Sequence, residues 1–558
     1  MTRERVRIHP GLWPAGVLLG VLLAIGLAQG LAWQPSEPFY NNDENRHVMT
    51  GVFFRDFLAD MPLGGLRDYV TQYYLQYPAL GLMVWPPLFY GIEGAFMLVF
   101  GTSYKAALAL VALFSALAFT YFFLLVRRTH GTAAAAVSTL LLGLAPMVFT
   151  LGHHVMLEMP ALAFVMAAVY HFVRYLDLGR RRDVYAAAVA SAGFALTRFD
   201  GLFLLLFFLL AVVVRRRFDI LRRLEVWLAA ALALAIVLPV YVPMMLEFGR
   251  AHVLMTVHGG AEGFEGRGPW YALSYYPRDL LKRIGPFTAV PCVIGFLAAL
   301  GPARRRACWP YLALAAATYL AFTPLAELEE RHSIYWYPAF ALFAWVGIDW
   351  LAGRVAGWLK QPLRTASVLA TVLATIVVCG AFWIAARSQA LYVRGYEEAA
   401  RYVVANTRSS RFTFFDGFLN GDFIYQVRRL DPGRRLWNLR GDKILYSVLI
   451  SPRGGYKEYA GAEAGILDSL YRYDPDLIVV EEPQVFFKIP VAEQLRKTLA
   501  GRPERFELVK TFPVESNVPA FQGVRIAVYR SRVRNPAPAR QVSFDMIGLG
   551  RSLGAEVR

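Results

Sequence analysis

The chain has 558 residues, 57% of them hydrophobic and 18% charged, with a mean hydropathy of +0.40 and a net charge of +17. Apolar stretches recur through the first two thirds, which excludes an ordinary soluble domain and fits a helical membrane protein. In a soluble chain this basic excess would suggest nucleic acid. Here Lys and Arg sit in short clusters between apolar segments, so bilayer orientation accounts for them and no nucleic-acid partner is expected.

The start, Met1 to Pro10, is basic, and an apolar run from Leu12 to Trp33 follows. That run is long for a signal core, which favours a retained first helix. Further basic clusters lie at Arg127-Arg128, Arg174 with Arg180–Arg182, Arg215–Arg217 with Arg222-Arg223, Arg304–Arg306, and Arg354/Lys360/Arg364. Such clusters belong on the cytoplasmic side. The spans then fall at 12–33, 103–126, 132–151, 157–174, 184–198, 201–214, 226–246, 285–301, 309–325, 336–352 and 366–386, about eleven helices. The fifth and sixth are short enough to form one broken hairpin. With a cytoplasmic N-terminus, an odd count leaves the C-terminus outside an inner or plasma membrane.

Four segments face outward in this scheme. The first, Gln34 to Gly101, reads as helices lying on the membrane surface, with Tyr77–Phe100 interfacial or re-entrant, since a span there would invert every later cluster. The others are Gly152–Glu158, Glu247–Ile284 and Ala326–Tyr335. The third is long enough to act as a lid, and His252, His258, Glu262 and Glu265 in it are candidates for acceptor or metal contact.

After Ser388 charges become dense. Tyr396–Val404 reads as an amphipathic helix, and Arg411–Asp416, Leu477–Val480, Phe506–Thr511 and Val524–Tyr529 as strands. The expected organisation is a transmembrane domain over 1–387 with its first outer loop at 34–101, an extracytoplasmic α/β domain over 388–532, and a basic, disordered tail over 533–558. No glycine spacing points to a nucleotide site. The three cysteines, Cys292, Cys308 and Cys379, give neither a disulfide framework nor zinc spacing.

Ionisable groups at the membrane edge are functional candidates. Asp43 and Glu44 open an outer helix, either as its cap with Asn42 or as a general base or metal ligand. His154 and Glu158, four residues apart, would share a helix face and suit a metal or a proton. Arg331 and His332 precede Tyr335, Trp336 and Tyr337, interfacial aromatics, and Arg331 can fork onto a phosphate. Arg198 and Asp200 either turn the chain or help bind a charged ligand.

These pieces, in this order and on one side, resemble the GT-C class of glycosyltransferases, nearest its protein O-mannosyltransferase and aminoarabinose transferase branch. The resemblance is carried by Asp43-Glu44 in the first outer loop, Trp85-Pro86-Pro87-Leu88, Glu158 in the next outer loop, and Arg331-His332 through Tyr335 to Pro338. Trp85 stands where Lys or His is usual, and Glu158 where Asp is usual. The resemblance implies an α-helical polytopic fold with a soluble C-terminal domain; acceptor recognition by that domain is a separate hypothesis. It implies transfer of a sugar from a polyprenyl-phosphate donor to the hydroxyl of a protein, lipid or polysaccharide, with inversion. Asp43 and Glu44 would be catalytic, with Glu158 supporting. Arg331, His332, Arg198 and Tyr335 would bind the donor phosphate. A divalent metal on Asp43, Glu158 and His154 is a candidate cofactor. A lipid-linked sugar flippase and a non-catalytic membrane scaffold are the competing readings.

Overall fold

A computed structural model describes residues 13–32, 39–62, 64–82, 84–258, 269–278, 280–323, 328–408, 410–448 and 455–557. The basic start, and Glu262 and Glu265 of the third outer segment, lie outside these residues.

Seventeen helices precede Ser388 in the described chain. They are α1 (Trp13–Ala32), α2 (Asn42–Asp60), α3 (Leu66–Gln76), α4 (Leu88–Phe100), α5 (Tyr104–His130), α6 (Thr132–Leu144), α7 (Pro146–Leu151), α8 (Glu158–Leu178) and α9 (Arg181–Ala195). After them come α10 (Leu202–Arg215), α11 (Leu224–His258), α12 (Pro269–Arg278), α13 (Leu280–Ile284), α14 (Pro286–Leu300), α15 (Pro302–Phe322), α16 (Tyr337–Trp358) and α17 (Leu363–Arg387).

Each of the expected spans coincides with a helix, 132–151 with the pair α6 and α7. Length and composition divide them, however. Six described helical segments are long and apolar enough to cross a bilayer alone, and α14 with α15 forms a seventh candidate bent by 114°. The bend falls at Gly301-Pro302, where proline cannot continue the hydrogen bonding of α14. The segment Tyr77–Phe100 contains only the 13-residue α4, short for a span, which packs on α2. The segment Glu247–Ile284 is more helical than a loop: α11 extends to His258, and α12 and α13 occupy Pro269–Arg278 and Leu280–Ile284.

Small residues let the helices approach. A Cβ on Gly295 of α14 would lie 1.7 Å from the Phe343 carbonyl oxygen of α16, and one on Gly347 would lie 2.0 Å from that of Pro291. Backbones this close give van der Waals packing where lipid supplies no hydrophobic drive. Arg128 and Arg215 both pair with Asp177, at 3.1 and 3.2 Å, so separate basic clusters meet at one end of the bundle. Helix α8 runs from Glu158 to that end, and its 21 residues span about 30 Å, the thickness of a hydrocarbon core.

The soluble domain is built on a five-stranded sheet of order β3-β2-β6-β9-β7. Here β1 is Val393–Arg394, β2 Phe412–Asp416, β3 Trp437–Arg440, β4 Tyr446–Val448, β5 Tyr456–Glu458, β6 Leu477–Glu482, β7 Phe506–Pro513, β8 Glu515–Ser516 and β9 Arg525–Ser531. Its helices are α18 (Tyr396–Asn406), α19 (Asn420–Leu430), α20 (Gly441–Ile444), α21 (Glu463–Tyr473) and α22 (Pro490–Gly501). Strands β2, β3 and β6 are parallel, and β9 and β7 add antiparallel. The parallel strands are almost wholly buried, as helices on both faces require. The four expected strands correspond to β2, β6, β7 and β9. Strand β3 was not foreseen: four residues ending in Arg440 carry too little pattern.

The segment 533–558 differs from its composition. Rather than a disordered tail, it forms a hairpin of β10 (Gln541–Met546) and β11 (Arg551–Glu556), with Val542, Phe544 and Met546 buried. Alternation of apolar and polar residues in β10 gives it one face to bury, and α3 of the first outer loop packs against both strands. The domain core also takes in Leu75 of α3, so the soluble unit is completed by the outer loop.

Candidate active site

The first outer loop lies between the bundle and the soluble domain. Asn41 caps α2, its side chain accepting from the amides of Asp43 and Glu44 at 3.0 Å each. The cap is therefore neither Asn42 nor Asp43, which leaves the Asp43 carboxylate free to point elsewhere. It meets Arg331, with Nη2 at 2.8 Å. Burial pushes the Asp43 carboxyl up, but Arg331, through its charge and its hydrogen bond, together with His47 and Arg46 outweighs it, and the net shift is below the usual aspartate range.

Arg331 comes from a 3₁₀ segment, Glu330–Trp336, that leads into α16. It also bonds Glu329, and its Nε lies 3.8 Å from the buried Glu158 carboxylate at the start of α8. Arg198, in the break between α9 and α10, joins the set: Nη1 to Glu158 at 2.6 Å and Nε to Asp200 at 2.7 Å. The Tyr335 hydroxyl donates to Asp200 at 3.2 Å. Two guanidinium groups thus alternate with Asp43, Glu158 and Asp200, and the turn Thr197–Gly201 exists to deliver Arg198 and Asp200 to this cluster. The second Glu158 oxygen, Oε2, is buried with no hydrogen-bond partner among the described residues.

These groups border a cavity of ≈ 910 Å³ between the helical bundle and the soluble domain. Asp43, Arg198, Arg331 and His332 line it from the bundle side, together with His47 and His252. His47 donates to or accepts from the Tyr90 hydroxyl at 2.7 Å and packs edge-on to Trp85, 4.4 Å between centroids. Burial holds the His47 imidazole down to about 3, so it is neutral beside Asp43. From the other side come Asp416 and Arg440, the last residues of β2 and β3, and Glu481, the residue before the last of β6. The carboxyl ends of parallel strands are the usual ligand-facing edge of such a sheet.

Two expectations change. Glu44 does not line the cavity. It is buried, accepting from the Tyr104 hydroxyl at 2.7 Å, the Val155 amide at 2.9 Å and the Tyr40 amide at 3.2 Å, with His154 Nδ1 at 3.2 Å. The neighbouring residue on a helix points about 100° away, so Asp43 and Glu44 cannot act as a pair on one substrate atom. Glu44 is a brace joining the outer loop to α5 and to the segment before α8. Glu44→Ala is expected to destabilise the detergent-solubilised protein by about 1–3 kcal/mol, because buried donors lose their acceptor; thermal denaturation checks this.

The metal set also fails to form. His154 precedes α8 rather than sharing a turn with Glu158, and its Nδ1 faces Glu44. Asp43 and Glu158 both face the Arg331 guanidinium. No group of three His, Cys, Asp or Glu among the described residues is placed to hold an ion. As arranged, these residues do not fit a divalent cation.

Sequence reasoning missed Arg440, Asp442 and Lys443, which lie on this cavity in and after the unforeseen β3. The charged run Arg440-Gly441-Asp442-Lys443 was their only signal.

Residues 85–242 match a family described as dolichyl-phosphate-mannose-protein mannosyltransferase. No curated protein matches the sequence significantly. Among solved structures, ArnT from Cupriavidus metallidurans bound to undecaprenyl phosphate is similar at 14% identity and a TM-score of 0.58, over 92% of this chain and 98% of that one. The Archaeoglobus fulgidus oligosaccharyltransferase in complex with Zn and sulfate is similar at 11% identity and a TM-score of 0.51, over 83% and 68%. The chain is an integral membrane protein with a fold of the GT-C type.

Proposed function

We propose that the protein transfers a glycosyl unit from a polyprenyl-phosphate donor to an acceptor hydroxyl at the extracytoplasmic membrane face, with inversion. The observation that carries this is the Asp43–Arg331 contact, 2.8 Å across, at the bundle side of the cavity. It puts a proton acceptor beside a fixed cation, the two groups that displacement of a lipid phosphate needs. The ArnT structure with undecaprenyl phosphate supports the donor class. The basic clusters around Asp177, at the far end of α8 from Glu158, support an outward-facing site.

In this scheme Arg331 takes the donor phosphate, with Arg198, His332 and Tyr335 behind it. The acceptor oxygen attacks the anomeric carbon and the carbon–oxygen bond to phosphate breaks. Charge developing on the leaving phosphate meets the guanidinium. Asp43 takes the hydroxyl proton. Before donor binding Arg331 holds Asp43 ionised. A phosphate competing for the same guanidinium would loosen that hold and let burial raise the basicity of Asp43. Glu158 shares Arg331 and Arg198 and fixes both. No metal is drawn on.

The test is turnover of polyprenyl-phosphate sugars by purified protein, following lipid phosphate by thin-layer chromatography and the product anomer by NMR. Release of lipid phosphate with an inverted anomeric centre is expected. A retained configuration would sink the single-displacement scheme. Donor crossing of vesicle membranes without cleavage would favour transport.

A further inference from the structure

Among the described residues, two cations on the cavity form no salt bridge. Arg46 lies on α2, three residues beyond Asp43, and Lys443 lies on α20 just past β3. Among the described residues neither has a hydrogen-bond or ion-pair partner, although both line the cavity. The surrounding carboxylates are already engaged. Asp43 and Glu329 hold Arg331, Glu330 holds Arg283, Asp416 holds Arg496, and Asp442 holds Arg440. Glu481 accepts from the amides of Phe418 and Leu419. Burial, only partly offset by Asp442, pushes the Lys443 ammonium down to about 8, and the charges of Arg440 and Arg46 add to the fall. Desolvated cations left without partners are costly unless an anion joins them.

Their position identifies the anion. Arg331 pairs directly with Asp43 from the bundle, whereas Arg46, within electrostatic reach of Asp43 but not paired with it, also neighbours Arg440 and Asp442 of the soluble domain. In an inverting displacement the acceptor enters opposite the leaving phosphate. A phosphate at Arg331 therefore leaves the soluble-domain side for the acceptor. At ≈ 910 Å³ the cavity is at the upper end for small-molecule sites, enough for a sugar and a second group together.

We propose that Arg46 and Lys443 form an anion subsite for the acceptor, receiving a phosphate or carboxylate group on the molecule whose hydroxyl is glycosylated. The word acceptor rests on the glycosyl-transfer reading; anion binding itself does not.

The full-length protein in detergent is titrated by calorimetry with glycerol 3-phosphate, with glucuronate, and with glucose as the neutral control. At least one anion is expected to bind and glucose not. Which anion binds separates a phosphate-bearing acceptor from a carboxylate-bearing one. Lys443→Gln and Arg46→Gln should each weaken that binding about tenfold, as loss of a charge-assisted contact does, while Lys443→Arg retains it. Arg331→Gln should change it less than about threefold, below 1 kcal/mol. Failure of both anions to bind wild type overturns the proposal. So does loss in Arg331→Gln with retention in Lys443→Gln, which would place the anion in the donor site. If Arg46→Gln does not fold, Lys443→Gln decides alone. Donor turnover is assayed on the same preparation. Anion binding without turnover would count against the transfer reading and leave the subsite standing.

Discussion

Asp43→Asn is expected to lower sugar transfer by about 10²–10⁴-fold, the range for loss of a general base, with the fold retained. Asparagine has the same shape and can still accept from Arg331 through its amide oxygen, so the surroundings need not move. What it loses is the ability to take a proton. Purified wild type and variant, matched by thermal denaturation and given the same polyprenyl-phosphate sugars, would show this as loss of lipid-phosphate release. Equal release would remove Asp43 from the chemistry and move attention to Glu158. The pH profile adds a second check. The ionised form is the active one, and it persists below the usual aspartate range because Arg331, with His47 and Arg46, outweighs burial. The acid limb of kcat/KM should therefore lie below that range in wild type. Without Arg331 burial is opposed only by His47 and Arg46, so Arg331→Gln should move the limb upward.

Asp56→Ala should destabilise the protein by about 3–5 kcal/mol, the cost of leaving a buried charge without its partner. Asp56 is fully buried on α2 and bonds Arg428 of α19 at 2.6 Å. It also accepts from the Tyr73 hydroxyl at 2.6 Å and lies 3.3 Å from Arg434. This is the main polar tie between the outer loop and the soluble domain. Around it the surfaces interlock. Asn42 donates to the Phe418 carbonyl at 2.7 Å, and a Cβ on Gly421 would lie 1.9 Å from Asn45 Oδ1, so the missing side chain of Gly421 leaves room for Asn45 where α19 meets α2. Thermal denaturation and limited proteolysis of the 388–394 junction should show the loss, with Arg428→Met on the Asp56→Ala background recovering part of it. A change below about 0.5 kcal/mol, as at an ordinary surface site, would mean that the domain does not depend on this pair. Because the cavity is walled by both units, activity should fall with docking.

The sequence by itself determined the membrane character and the helical segments, because lipid demands long apolar runs. It also marked Asp43, Glu158, Arg198 and Arg331, since ionisable groups at a membrane edge are costly enough to stand out. Only the tertiary structure decided how they combine. Arg331 is 288 residues from Asp43, and nothing local says that these two meet while Glu44, one residue away, turns into the core. The same holds for the hairpin at 541–556: its composition is that of a tail, and order comes from the α3 face it covers. The soluble domain's part in the cavity was equally hidden. Lys443 and Arg46 are ordinary surface residues in one dimension, and become cations facing a shared space, without a salt bridge among the described residues, only when β3 ends beside the first outer loop.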